Sequence, residues 1–252
     1  MIDVHAHLDD VRFDEDRAKL IKQLRAAGIR RLINSGCSHE ACAAAIKLAE
    51  EHDFIYASVG IYPHDVAELE WNGTGRLKEM AKHPKVVAIG EIGLDYYYDT
   101  ASKPMQKKWF HTQLELAEEL NLPVVIHSRD AMKDTLDILR EHPNNTGIFH
   151  CYSGSVESLR EVIALGWSIS MGGVVTFKNA RVAKEVAAAV PADRLMLETD
   201  SPYLAPTPYR GKRNSALYLP EVAKCIAELR GTTPEEIERI TDENALRMFR
   251  MV

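Results

Sequence analysis

The chain has 252 residues, 46% hydrophobic and 27% charged, with a formal net charge of −6. That composition, free of low-complexity tracts, excludes an intrinsically disordered protein and allows a sizeable core without disulfides or structural metal. The acidic balance weighs against a protein that coats nucleic acid through a broad basic face, but not against an enzyme whose bound cations attract phosphate.

Short β-branched runs at 2–5, 31–34, 54–59, 86–91, 124–127, 147–150, 168–171 and 195–198 predict strands. Helical periodicity fills the intervals at 16–27, 39–52, 76–82, 104–120, 131–141, 156–165 and 180–189, and continues at 219–229 and 234–251. Ser38, Ser155 and Thr233 stand where N-caps precede helices, and Pro234, Glu235 and Glu236 suit a first helical turn. Strict alternation of strand and helix implies a parallel sheet with helices on its faces. Eight such units, averaging about 31 residues, predict an α/β protein, a (β/α)8 TIM barrel, as a single domain over residues 1–252. A doubly wound open sheet is the alternative.

The longest irregular stretch, 201–215, follows the last strand, where an active-site loop is expected. No apolar run approaches the ~18 residues of a membrane span, and no leader-like segment precedes the first strand. Cys37, Cys42, Cys151 and Cys225 are scattered without a Cys-x-x-Cys pair, which fits a reducing, cytoplasmic setting. No obligate protein partner is indicated.

The chemistry is concentrated at the C-terminal ends of the strands, which converge on one face of a barrel. His5 and His7 close the first strand, Glu91 the fourth, His127 the fifth and His150 the sixth, and Asp200 follows the eighth. Residues i and i+2 of a strand share a face, so the His5 and His7 imidazoles point the same way and suit one metal ion. Two imidazoles and a carboxylate can hold one divalent ion and two more imidazoles a second, with Glu91 as the bridge. A carboxylate at Asp200 can both ligate an ion and take a proton from an attacking water; a turn-capping role is the bland alternative.

His64, just past the third strand, is placed to orient a phosphate or protonate a leaving group, or is an ordinary loop histidine. Arg129 at the mouth, and Lys212 with Arg213 in the long loop, are candidate contacts for an anionic substrate; a local salt bridge and a solvated surface are the alternatives. Tyr96-Tyr97-Tyr98 either stacks on a base or covers the barrel mouth. Cys151 lacks a base of its own beside a ligated His150, so it is not read as a nucleophile.

These stretches, namely Asp3-Val4-His5-Ala6-His7-Leu8-Asp9, Gly90-Glu91-Ile92-Gly93-Leu94-Asp95-Tyr96, His127-Ser128-Arg129-Asp130-Ala131, His150-Cys151-Tyr152-Ser153-Gly154 and Glu198-Thr199-Asp200-Ser201-Pro202-Tyr203-Leu204, resemble the TatD-type deoxyribonucleases of the amidohydrolase-like superfamily. The resemblance covers essentially the whole chain. It implies a barrel with a divalent-metal site (Mg²⁺, Mn²⁺ or Zn²⁺) and hydrolase activity, often 3′–5′ exonuclease activity on DNA. It carries His5, His7, Glu91, His127, His150 and Asp200 over as the metal site, Asp200 also as base, and His64 as a phosphate-side residue. Two positions depart from the family pattern: Tyr62 stands where histidine is frequent, and Arg213-Asn214 is followed by Ser215-Ala216 rather than Glu-Pro. A metal-dependent ester or amide hydrolase acting on a small molecule or aminoacyl ester is the competing expectation.

Overall fold

The computed structural model describes residues 1–68, 74–98 and 100–251. The described strands are β1 (Ile2–Ala6), β2 (Arg31–Ser35), β3 (Ile55–Val59), β4 (Val86–Asp95), β5 (Val124–Arg129), β6 (Gly147–Phe149), β7 (Ser168–Met171) and β8 (Leu195–Leu197). They pair in parallel in sequence order, β1 through β8. The ring closes where Asp200 N–H donates to the His5 carbonyl (2.9 Å) and His7 N–H to the Ser201 carbonyl (2.7 Å). This is the (β/α)8 barrel expected from the alternation, and closure rules out the open sheet.

The helices are α1 (Arg17–Ala26), α2 (His39–Glu51), α3 (Thr74–Met80), α4 (Lys103–Leu120), α5 (Met132–Glu141), α6 (Val156–Ala164), α7 (Arg181–Ala189), α8 (Leu219–Arg230) and α9 (Pro234–Phe249). Three expected caps are formed: Ser38 Oγ accepts from Ala41 N–H, Ser155 Oγ from Ser158 N–H and Thr233 Oγ1 from Glu236 N–H. Each satisfies a donor that the first helical turn leaves without an intrahelical partner.

Two apolar cores follow from the two faces of the strands. One lies between barrel and helices and joins Leu32, Ile55, Ile126 and Leu195 to residues such as Leu24, Trp109, Phe110, Leu159 and Ile226. The other gathers Ile2, Val4, Ile33, Tyr56, Val87, Val125, Ile148 and Met196 with Ala245 and Phe249 of α9. This is the barrel interior, plugged at the N-terminal ends of the strands by α9. The cluster of imidazoles lies at the opposite end.

The strand limits differ from the sequence expectation where the site is built. β4 runs on to Asp95 and β5 to Arg129, because their ladder continues through Gly93–His127, Leu94–Ser128 and Asp95–Arg129. Gly93 makes that approach possible: at φ +139°, a Cβ there would stand 2.0 Å from the His127 carbonyl oxygen. Glu91 therefore lies within β4 and not at its end. Conversely, β6 and β8 stop at Phe149 and Leu197, so His150 and Glu198 lie just beyond them.

Candidate metal centre

Six side chains from five places in the sequence meet in the barrel mouth. His5 Nε2 and His7 Nε2 face each other at 3.1 Å, and His127 Nδ1 and His150 Nε2 do so at 3.2 Å. Glu91 lies between the pairs. Its Oε1 is 2.9 Å from His127 Nδ1 and 2.8 Å from His150 Nε2, and its Oε2 is 3.4 Å from His5 Nε2 and 3.7 Å from His7 Nε2. Asp200 Oδ1 completes the first pair, 3.5 Å from His5 and 3.4 Å from His7. Two donor triads are close enough to hold an ion: His5, His7 and Asp200, and His5, Glu91 and His150. The His5 and His150 rings stack at 3.9 Å, which locks the two pairs together.

The supporting shell sets which nitrogen of each ring points inward. His7 Nδ1 lies 3.1 Å from the Ser35 carbonyl, which can only accept, so Nδ1 carries the proton and Nε2 offers its lone pair. His127 Nε2 lies 3.1 Å from Asp95 Oδ2, which by the same reasoning turns the Nδ1 lone pair toward Glu91. Ser35 Oγ lies 3.0 Å from His5 Nδ1. Glu198, fully buried and bonded to Ser170 Oγ, sits 3.7 Å from His150 Nδ1, and the facing atoms of this pair lack any hydrogen-bond partner.

The electrostatics ask for cations. Glu91, Asp95 and Glu198 are buried and Asp200 nearly so, yet among the described residues no Lys or Arg lies within ion-pair distance of any of them. Buried carboxylates without compensating charge are costly. In the metal-free protein His7, His127 and His150, whose pKa values are raised, supply it, whereas burial lowers that of His5. Burial disfavours the charged form of His7, but its hydrogen bond to Asp200 and the charges of Asp200 and Glu91 outweigh it and raise its pKa to about 9. His150 is raised as well, against its burial, by the Glu91 charge and by Glu198. Burial would lift Glu91, but the charge of His150 and hydrogen bonds from His127, His150 and His5 hold it well below the usual carboxylate range. Asp200 is likewise lowered, its burial outweighed by His7, His5 and His150. With those protons displaced, the imidazole nitrogens and ionised carboxylates gathered here would be the donor set of a divalent-metal site, and the residues present fit one.

The remaining expected residues fall as follows. His64 Nε2 lies 3.4 Å from Asp95 Oδ2, on the metal-centre side of the mouth. Arg129 forms no ion pair among the described residues and instead stacks over Tyr97 at 3.8 Å. Arg213 is held bidentately by Asp16, at 2.6 and 2.8 Å, which engages the guanidinium that was expected to face substrate. Lys212 is exposed. Asn214 donates to the carbonyls of Thr199 and Tyr203, and so braces the turn that carries Asp200.

Sequence reading passed over Asp95, Glu198 and Ser35, and took Tyr62 only as a departure from the family pattern. Asp95 was within reach of it: four residues beyond Glu91 in a strand means the same face. Tyr62 donates from its hydroxyl to Asp95 Oδ2 at 3.2 Å, and no local pattern announced that contact.

Residues 2–250 match the family described as TatD related DNase. The chain is 45% identical over 253 residues to the uncharacterised metal-dependent hydrolase YabD of Bacillus subtilis (strain 168), covering 100% of this chain and 99% of that protein. It is 35% identical over 257 residues to the 3′–5′ ssDNA/RNA exonuclease TatD of Rahnella sp. (strain Y9602), covering 99% of this chain and 98% of that protein. The crystal structure of YjjV, a TatD homolog from Escherichia coli K12, matches with a TM-score of 0.94 and 29% identity over 100% of this chain and 98% of that one. With the geometry and the match both spanning the barrel, the chain belongs to the TatD-related DNase family of metal-dependent hydrolases.

Proposed function

We propose that the protein is a divalent-metal-dependent phosphodiesterase that removes nucleotides from the 3′ end of DNA. The observation that carries this reading is the cluster of buried carboxylates balanced only by imidazoles. His5, His7 and Asp200 would hold one divalent ion and His127 and His150 a second, with Glu91 between the two pairs available to both. The imidazole-rich set suits Mn²⁺ or Zn²⁺, and the carboxylates and phosphate substrate suit Mg²⁺. Divalent ions so held act as Lewis acids and lower the pKa of water toward neutrality.

The chain's own groups do the rest. Asp200 is ionised, and its side chain keeps some exposure to the mouth (16%), so its carboxylate accepts the proton of the attacking water. Asp95 and the Ser35 carbonyl hold His127 and His7 in the orientation the site needs. His64 faces the phosphate side. The nuclease names of relatives at 35–36% identity support a nucleic-acid substrate. No described helix is long and apolar enough to cross a membrane. The four cysteines are free thiols, in keeping with a cytoplasmic location.

The test is cleavage of 5′-labelled single-stranded DNA with free or blocked 3′ ends, in Mg²⁺, Mn²⁺ or Zn²⁺, beside a panel of esters and amides. Shortening from the free 3′ end only, stopped by EDTA, is expected. Asp200→Asn should lose ~10² or more in rate. Turnover of an ester with no DNA cleavage in any ion would overturn the proposal.

A further inference from the structure

An unbroken run of rings leads from the metal centre to solvent. Tyr62 packs on His127 with ring centroids 4.8 Å apart, His64 on Tyr62 at 4.9 Å, Tyr98 on His64 at 5.2 Å and Tyr97 on Tyr98 at 4.7 Å. The Arg129 guanidinium caps the run, 3.8 Å from the Tyr97 ring and 5.3 Å from that of Tyr98. Exposure rises outward along it: Tyr98 is 51% and Tyr97 57% exposed. The run is anchored to the site by the backbone, since Tyr97 N–H donates to Asp95 Oδ1 (2.9 Å) and Asp95 holds His127. Tyr96 N–H donates to the Arg129 carbonyl at 2.9 Å, which ties the β4–α4 connection to the end of β5.

Two features separate this wall from an ordinary surface. Large aromatic faces are normally covered, and here two adjacent ones are open beside a buried polar centre. Arg129 is an exposed cation in an acidic protein and forms no ion pair with a carboxylate among the described residues. The opposite wall offers a useful contrast. Arg12 stacks over Tyr203 at 4.1 Å, but it is also paired through two nitrogens with Asp10, at 2.9 and 2.8 Å. Its charge is therefore engaged, and of these two walls the Tyr97–Tyr98–Arg129 side presents an aromatic face together with a positive charge that no described carboxylate pairs. A nucleotide has the matching pair of features, a π face and a phosphate, within one unit.

We propose that Tyr97, Tyr98 and Arg129 form the platform on which the unpaired base next to the scissile phosphate stacks, with Arg129 meeting a neighbouring phosphate. This rests on the nuclease reading and deepens it. A base is free to stack only when it is unpaired, so the platform selects a single-stranded end over a duplex end. Stacking uses the face common to all bases and ignores the sugar, so selection among bases, and between DNA and RNA, is weak.

The test compares an 8-mer oligonucleotide with analogues that lack the base at the 3′-terminal or the penultimate position. Wild type is compared with the Tyr97→Leu/Tyr98→Leu variant, because leucine keeps the mouth covered while removing the stacking face. A Mn²⁺-induced rise in melting temperature equal to that of wild type shows that the variant folds and retains the metal site. Expected is a preference of wild type for the intact end over one of the abasic ends, on the order of tenfold in kcat/KM. The variant should lose about that factor on the intact strand and show no preference. Arg129→Gln should raise KM on both the intact and abasic ends. An unchanged preference in the variant, or cleavage by wild type with no preference at either position, overturns the platform and leaves the nuclease reading standing. Failure of wild type to cleave any oligonucleotide overturns both.

Discussion

His111 Nδ1 and His142 Nε2 lie 2.8 Å apart, between α4 and the end of α5. A hydrogen bond between two imidazoles needs one ring to accept, so the contact fails when both are protonated. Burial, and then the neighbouring His111, lower the pKa of His142. A lowered folded-state value means that the unfolded chain takes up the proton more readily. The contribution of His142 is therefore complete above about pH 6.5 and is lost as pH falls through its lowered value. Urea unfolding at pH 7 and pH 5 should show wild type losing more stability than His142→Gln, whose amide stays neutral. Equal losses would remove this pair from the acid response.

At the scale of elements, β4 does most to build the site. It supplies Glu91, extends the ladder past it to Asp95 and brings the β4–α4 connection over the mouth. Its close approach to β5 depends on Gly93, because any Cβ there meets the His127 carbonyl oxygen. Gly93→Ala should cost at least about 2 kcal/mol in urea unfolding, from backbone strain and overpacking together, and should weaken metal binding through the displaced His127. An unchanged urea midpoint would show that β5 moves aside freely. The register also slips between Asp3 and Ala6 and between Ile89 and Ile92, the stretches that carry His5 and Glu91. Such irregularities re-aim side chains, which is their usual use beside active sites. Strict alternation from Ile2 and Val4, both in the barrel interior, would turn His5 outward; its ring instead meets Ser35 in the mouth.

For the whole molecule, the barrel divides its work between two ends. α9 and its neighbours seal one end with Phe249 and Ala245, and the imidazoles and carboxylates fill the other. Metal binding therefore couples to the fold as a whole, since the donors come from β1, β4 and β5 and from the segments just beyond β6 and β8. An ion at 100 times its Kd stabilises the folded state by about 2.7 kcal/mol, or roughly 5–10 °C for a chain of this size. Mn²⁺ should raise the melting temperature by that amount, EDTA should reverse it, and His5→Ala/His7→Ala should abolish the response. A melting temperature indifferent to every divalent ion would contradict a metal centre at the barrel mouth.

The barrel itself was legible in the chain, because the strand and helix patterns are local and their alternation repeats eight times. That His5, His7, Glu91, His127, His150 and Asp200 would meet was legible because a parallel barrel forces strand ends onto one face, so their positions in sequence imply their proximity in space. The donors that orient them were less so: Asp95 by face periodicity, the role of Tyr62 not at all, since its contact with Asp95 joins the loop after β3 to the end of β4, 33 residues away. Which cations remain free was a tertiary matter altogether. Arg129 and Arg213 look alike as basic residues near the mouth, and only the packing shows that one is held by Asp16 while the other lies open on two tyrosine rings. Charge pairing depends on which distant side chain arrives within about 4 Å, and that is decided when the barrel closes.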